Sequence, residues 1–180
     1  MPRPRGTRPP TPPPDVGRAV EIAVRFLGTR PRTRWELERR LQRAGADEAV
    51  IAAATQRLTE LGYLDDAAFA RWWGEQRDRH SPRGRRLLEA ELRQRGVPRD
   101  VIEAYRGEHA APERVPEDEA LPGTEAERAV EALEKHLRGR PMPADPRAIQ
   151  RVGTYLMRRG FDPDTVRSAI RARNDATLED

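Results

Sequence analysis

The sequence has 180 residues, of which 36% are apolar, 5% aromatic and 36% charged, with a formal net charge of +4. That balance excludes one thick hydrophobic core and points to thin helical layers with much solvated surface. No run approaches the roughly 20 apolar residues of a membrane span, and cysteine is absent, so neither membrane insertion nor a disulfide framework is expected; the expected location is cytoplasmic.

In chain order, residues 1–14 hold seven prolines and read as a disordered Pro/Arg-rich tail rather than a secretory signal. Residues 15–63 predict a first three-helix repeat. One helix carries Ala19, Ile22, Ala23 and Phe26, the next Leu37 and Leu41, and the third (47–61) Val50, Ile51, Ala54, Leu58 and Leu61. Residues 64–105 predict a second, opening after Asp65-Asp66 with Phe69, Trp72, Trp73 and Gln76. Its next helix is expected to begin at Pro82 with Ser81 as cap. Residues 106–123 read as an acidic, proline-containing linker. A third repeat follows over 124–173, with a stripe at Ala126, Ala129, Val130, Leu133 and Leu137, and then a disordered tail, 174–180. No alternating strand pattern occurs.

The repeats share one frame. A leucine precedes a glycine by four residues at Leu41/Gly45, Leu92/Gly96 and Leu156/Gly160, and Val50-Ile51, Val101-Ile102 and Thr165-Val166 follow at matching offsets. Each glycine suits the residue just past a helix end, where positive φ is needed. Asp47, Pro98 and Asp162-Pro163 are placed to start the next helix. The predicted fold class is therefore all-α: three tandem three-helix repeats, helix-turn-helix-like, in an elongated, curved array.

Enzyme chemistry finds no support. There is no phosphate-binding Gly-Lys-Ser/Thr motif, no two glycines lie two apart, and His80, His109 and His136 are scattered without ligand spacing. The Asp65-Asp66 pair reads as a helix start rather than an acid/base site. No catalytic residue, cofactor or metal is expected.

Charge is the informative signal. Residues 1–105 carry 21 arginines against 15 acidic residues, so a polyanion is expected to bind the leading two-thirds. The candidate contacts are Arg30, Arg32, Arg34, Arg39 and Arg43 around the second helix of repeat one, and Arg83, Arg85 and Arg86 in repeat two. Arginines at a helix start oppose the macrodipole, at a cost of about 0.3–1 kcal/mol each when exposed. Three of them there suggest an external anion; a solvated face partnered by Glu36, Glu38, Glu89 and Glu91 is the plainer alternative. Trp72 and Trp73 lie with Phe69 and read as core. Trp35, between arginines and away from Leu37, is open between packing and stacking on bases. Tyr63 and Tyr155 are expected to pack at repeat junctions.

Four segments in order, RPRTRWELERRL (30–41), LTELGYLDDAAFARWW (58–73), SPRGRRLLEAELRQRGV (81–97) and YLMRRGF (155–161), resemble the RecX family over about residues 18–172. Thr33 stands where serine is commoner, and the proline-rich head and acidic linker are additions. The resemblance implies three three-helix repeats that bind in the groove of a RecA–single-stranded-DNA filament. It further implies restraint of that filament's ATPase, strand-exchange and co-protease activities, within homologous recombination, DNA repair and the SOS response. It also implies a contact role for Arg158 and Arg159, which otherwise need only offset their own helix dipole. The expected partners are thus the RecA filament and single-stranded DNA, with duplex DNA a further candidate, and the protein itself a monomer. Two other functions remain open on the residues alone: a stand-alone helix-turn-helix-like DNA binder, and a helical protein-interaction scaffold.

Overall fold

A computed structural model describes residues 12–109 and 124–178, and among these every regular element is helical. The helices are α1 (Val16–Leu27), α2 (Arg34–Arg43), α3 (Glu48–Glu60), α4 (Asp66–His80), α5 (Arg85–Gln94), α6 (Arg99–Glu108), α7 (Glu125–Leu137), α8 (Pro146–Arg158) and α9 (Pro163–Leu178). The chain divides between Asp65 and Asp66 into two compact units, the first holding α1–α3 and the second α4–α9. No described helix is long and apolar enough to cross a membrane.

In the first unit, local chemistry sets the helix starts. Asp15 accepts from the Arg18 amide at 2.8 Å and Asp47 from the Val50 amide at 2.8 Å. Thr33 and Glu36 form a reciprocal capping box at the start of α2. Ala19 and Ala23 of α1, Leu37 and Leu41 of α2, and Ala54 and Leu58 of α3 then share one core. Leu64 joins that core, so the packing of the first repeat runs one residue beyond the expected 63. At the end of α3 the stripe stops earlier than expected. Leu61 is 59% exposed because it is already the helix C-cap, and Tyr63 is 62% exposed rather than a junction packing residue.

The second unit contains two further cores. Phe69, Ala70, Leu88, Leu92, Val97, Ile102 and Tyr105 form one, with Trp72 and Trp73 packed against it. Ala129, Ala132, Leu133, Leu137, Val152, Leu156, Phe161, Val166 and Ala169 form the other. In α7 the buried stripe runs through Ala132 instead of Ala126, which is exposed, because α7 packs on both α8 and α9.

The shared frame is a backbone motif. Gly45, Gly96 and Gly160 have φ of 86°, 75° and 90°. The amides of the following residues, Ala46, Val97 and Phe161, donate back to the carbonyls of Leu41, Leu92 and Leu156 at 3.2, 3.1 and 3.4 Å. Those are the bonds that close a helix end through a left-handed residue, and each following side chain plugs its own core.

Three boundaries differ from the sequence reading. Ser81 is not a cap and no helix starts at Pro82: α4 runs to His80, and α5 begins only at Arg85 behind Gly84, which has no side-chain cap bond. The Gly84 amide is spent on the Arg159 carbonyl at 2.8 Å, which holds this stretch extended. Helix α6 continues to Glu108, inside the expected linker, with Arg106 of its last turn anchored on Glu89. Helix α9 continues to Leu178, through most of the expected disordered tail, since no glycine or proline interrupts it. The other expected linker residues from 110, and the expected tail residues 1–11, lie outside the described residues.

Candidate arginine contact surface

The arginines singled out in the sequence fall into two classes once their partners are traced. Around α2, three are structural. Arg30 pairs with Glu36 at 3.0 Å and so supports the capping box. Arg32 donates to the Thr29 hydroxyl and lays its guanidinium 4.3 Å over the Phe26 ring. Burial, helped by the neighbouring Arg30 charge, lowers its pKa against the opposing pull of Glu36. Arg34 reaches across to the Thr59 hydroxyl of α3 at 3.1 Å. Arg39 and Arg43 differ. Both are exposed, neither has a carboxylate partner among the described residues, and Arg39 lies 4.7 Å over the ring of Trp35.

Trp35, Arg39 and Arg43 succeed one another at one-turn intervals on the face opposite the fully buried Leu37 and Leu41. Arg40 is exposed beside them. Glu38, on the flank, is half-buried.

In the second unit, five of the candidates come together from two distant segments. The Gly84 and Gly160 backbones are in contact, which sets Arg83, Arg85 and Arg86 beside Arg158 and Arg159. Arg83 is partly buried, 3.6 Å from Glu91, and burial lowers its pKa against the attraction of that carboxylate. Glu91 also accepts from the Trp73 indole at 2.9 Å and from Arg77 at 2.7 Å. Arg159 donates to the Pro82 carbonyl, the Ser81 hydroxyl and the Tyr155 hydroxyl, so it pins repeat three to repeat two. Arg86 and Arg158 remain exposed without carboxylate partners among the described residues.

The anion expected at the start of α5 is supplied partly from within. Glu125 of α7 accepts from the Arg85 amide at 3.1 Å and lies 3.9 Å from its guanidinium. Sequence reasoning did not single out Glu125. Nor did it find the nearly buried Arg128, which faces Asp78 at 3.8 Å, or Lys135, which donates to the Arg79 carbonyl at 3.0 Å. Burial raises the Asp78 pKa, with Arg128 acting against it. These links cross between repeats, so no local pattern announces them.

Among the described residues no group of three histidine, cysteine or acidic side chains is gathered for a metal. His109 stacks on Tyr105 and His136 on Tyr155, both packing roles.

The chain matches the RecX first three-helix domain over residues 19–67, the second over 65–105 and the third over 124–170. This chain belongs to the RecX family. RecX proteins are regulatory and non-enzymatic. The regulatory protein RecX of Chlorobaculum tepidum is 36% identical over 154 residues, spanning 85% of this chain and 86% of that one. That of Mycolicibacterium vanbaalenii is 36% identical over 148 residues, spanning 80% and 76%. The fold is that of solved RecX structures: the crystal structure of RecX from Lactobacillus salivarius superposes with a TM-score of 0.73 at 18% identity, over 90% of this chain and 97% of that one. A second RecX crystal structure gives 0.69 at 18% identity, over 87% and 73%. Each matched RecX domain contains one of the glycine turns at Gly45, Gly96 and Gly160.

Proposed function

We propose that this member of the RecX family binds the RecA–single-stranded-DNA filament and modulates it, inhibiting its ATPase, strand-exchange and co-protease activities. The observation that carries the reading is the ordered match to all three RecX domains across residues 19–170. Exposed guanidinium groups on each unit, taken separately, support it: Arg39 and Arg43 in the first unit, and Arg86 and Arg158 in the second, are available to a polyanionic partner. The other arginine candidates have partners within the protein, and of these Arg34 and Arg85 are also exposed enough to meet the filament.

The test is a titration of the single-stranded-DNA-dependent ATPase of RecA. Hydrolysis falls at sub-stoichiometric amounts of the parent protein, and a variant with Arg39, Arg43 and Arg86 changed to Glu requires more protein for the same effect. Unchanged hydrolysis at saturating parent protein rejects the function. Equal potency of a normally folded triple variant rejects the surface.

A further inference from the structure

We infer that the exposed ridge of α2 is a contact for single-stranded nucleic acid, in which an unpaired base stacks on the Trp35 indole while Arg39 and Arg43 follow the phosphates. This rests on the filament reading only in that such a filament supplies single-stranded DNA.

Trp35 is the tryptophan that the fold does not use for a core. Trp72 and Trp73 pack with Phe69 at ring separations of 5.7 and 6.1 Å. The Trp73 ring is further covered by the guanidinium groups of Arg77 and Arg95, at 4.3 and 3.7 Å. Trp35 instead is 39% exposed and belongs to no hydrophobic cluster; the core of the first repeat closes on Leu37 and Leu41 without it. An indole is a large apolar surface to leave facing water, and isolated on a helix it gains little by packing.

Its surroundings favour an anion with a flat, apolar face. The Arg39 guanidinium lies over one face of the ring, 4.7 Å from its centroid, which steadies the indole and holds a cation near a base stacked on the opposite face. Arg40 and Arg43 extend the positive charge, with no carboxylate partner among the described residues. Of the acids on this helix, Glu36 is committed to Arg30 and to the Thr33 cap, and Glu38 stands half-buried on the flank. Single-strand binders combine this pair of features, cations for the backbone and an aromatic face for the base. A duplex hides its base faces, and an acidic protein surface would use the cations without needing the ring.

Fluorescence anisotropy of a labelled oligodeoxythymidylate, an abasic strand of equal length and a duplex tests the assignment, with circular dichroism to verify the helices. Trp35→Ala weakens binding to oligodeoxythymidylate by about 5- to 150-fold, the range for loss of one stacked base. Trp35→Phe restores most of that affinity, and Trp35→Ala leaves abasic binding where it was. Changing Arg39 and Arg43 to Ala weakens ordinary and abasic strands together and reduces the salt slope by roughly 0.7 for each phosphate that is no longer neutralised. Parent-like binding of oligodeoxythymidylate by Trp35→Ala overturns the inference. So does an equal loss on the abasic strand, which would mark the ridge as a purely ionic or protein-binding face. The RecA titration fails or succeeds separately. A parent that binds free strands through Trp35 but leaves RecA hydrolysis unchanged defeats the proposed function alone, and a Trp35→Ala variant that inhibits RecA yet binds strands like the parent defeats the stacking alone.

Discussion

Gly84 and Gly160 meet backbone to backbone: a Cβ on Gly84 would lie 2.2 Å from the carbonyl carbon of Gly160, and one on Gly160 would lie 2.5 Å from Cβ of Leu87. The two glycines let the turn before α5 and the end of α8 approach closely enough for the Gly84 amide to donate to the Arg159 carbonyl. Repeat two and repeat three are thereby joined at a point where any side chain is an obstruction.

Gly84→Ala is accordingly expected to force that junction apart and destabilise the second unit by about 1–3 kcal/mol, the usual cost of overpacking. Gly160→Ala should cost more, because φ of 90° adds backbone strain to the clash. Urea denaturation of the full chain measures both, and parent-like midpoints would show that the junction yields without cost.

The adjacent arginines Arg158 and Arg159 should separate cleanly. Arg159→Ala removes three donor interactions, two of them across the junction, and is expected to cost about 1.5–3 kcal/mol, as for hydrogen bonds made by a charged group. Arg158→Ala, at an exposed position, should stay within about 0.5 kcal/mol. Thermal melts of the two variants decide the matter, and the reverse ranking would contradict the assigned roles.

Inside the second repeat, the Tyr105 hydroxyl occupies the space a Cβ on Gly74 would need, at 2.2 Å. Gly74→Ala should therefore destabilise by about 1–3 kcal/mol, and adding Tyr105→Phe should recover part of the loss by removing the obstructing oxygen. A double-mutant cycle reads the coupling; strict additivity would be the contrary result. Burial pushes the Tyr105 pKa from 10.0 up to about 12. A folded-state value raised above the unfolded one means stability is intact below pH 10 and falls as the pH climbs toward about 12. Alkaline denaturation followed by tyrosinate absorbance checks it.

Glu89 carries the opposite sign. It is nearly buried on α5, and Arg106 of α6 donates to it twice, at 2.7 Å each. That hydrogen bonding, with the Arg106 charge, holds its pKa below the ordinary 4.5 in spite of burial. Its contribution to stability is present above the ordinary value and is lost as the pH falls through the lowered one. The urea midpoint of the parent should drop more steeply in acid than that of Glu89→Gln; parallel pH profiles would remove Glu89 from the acid transition.

Much of the candidate site was legible only as composition. The exposure of Arg39 and Arg43 follows from their angular distance from Leu37 and Leu41 on a single helix, so periodicity sufficed. The plainer alternative, in which nearby acids partner the arginines, is realised where Arg30 meets Glu36 and Arg83 meets Glu91. The commitment of Arg85 to Glu125 and of Arg159 to Ser81 and Pro82 did not show, because arginine reaches several residues away and its partner depends on which helix packs beside it. Ser81 shows the same limit. A serine before a proline has the local chemistry of a cap, yet a guanidinium 78 residues away takes its hydroxyl.

What the sequence determined by itself is short in range: the capped starts at Asp15, Thr33 and Asp47, the glycine turns after Leu41, Leu92 and Leu156, the apolar stripes, and the triple repeat they compose. Each depends on bonds or contacts within about two helical turns, where residue order and spatial order coincide. Tertiary structure alone decided that Arg85 and Arg159 find partners in another repeat, where α5 begins, and that Gly84 lies against Gly160. Those outcomes require helices far apart in sequence to be packed first, and only then does a charge find, or fail to find, its counter-charge.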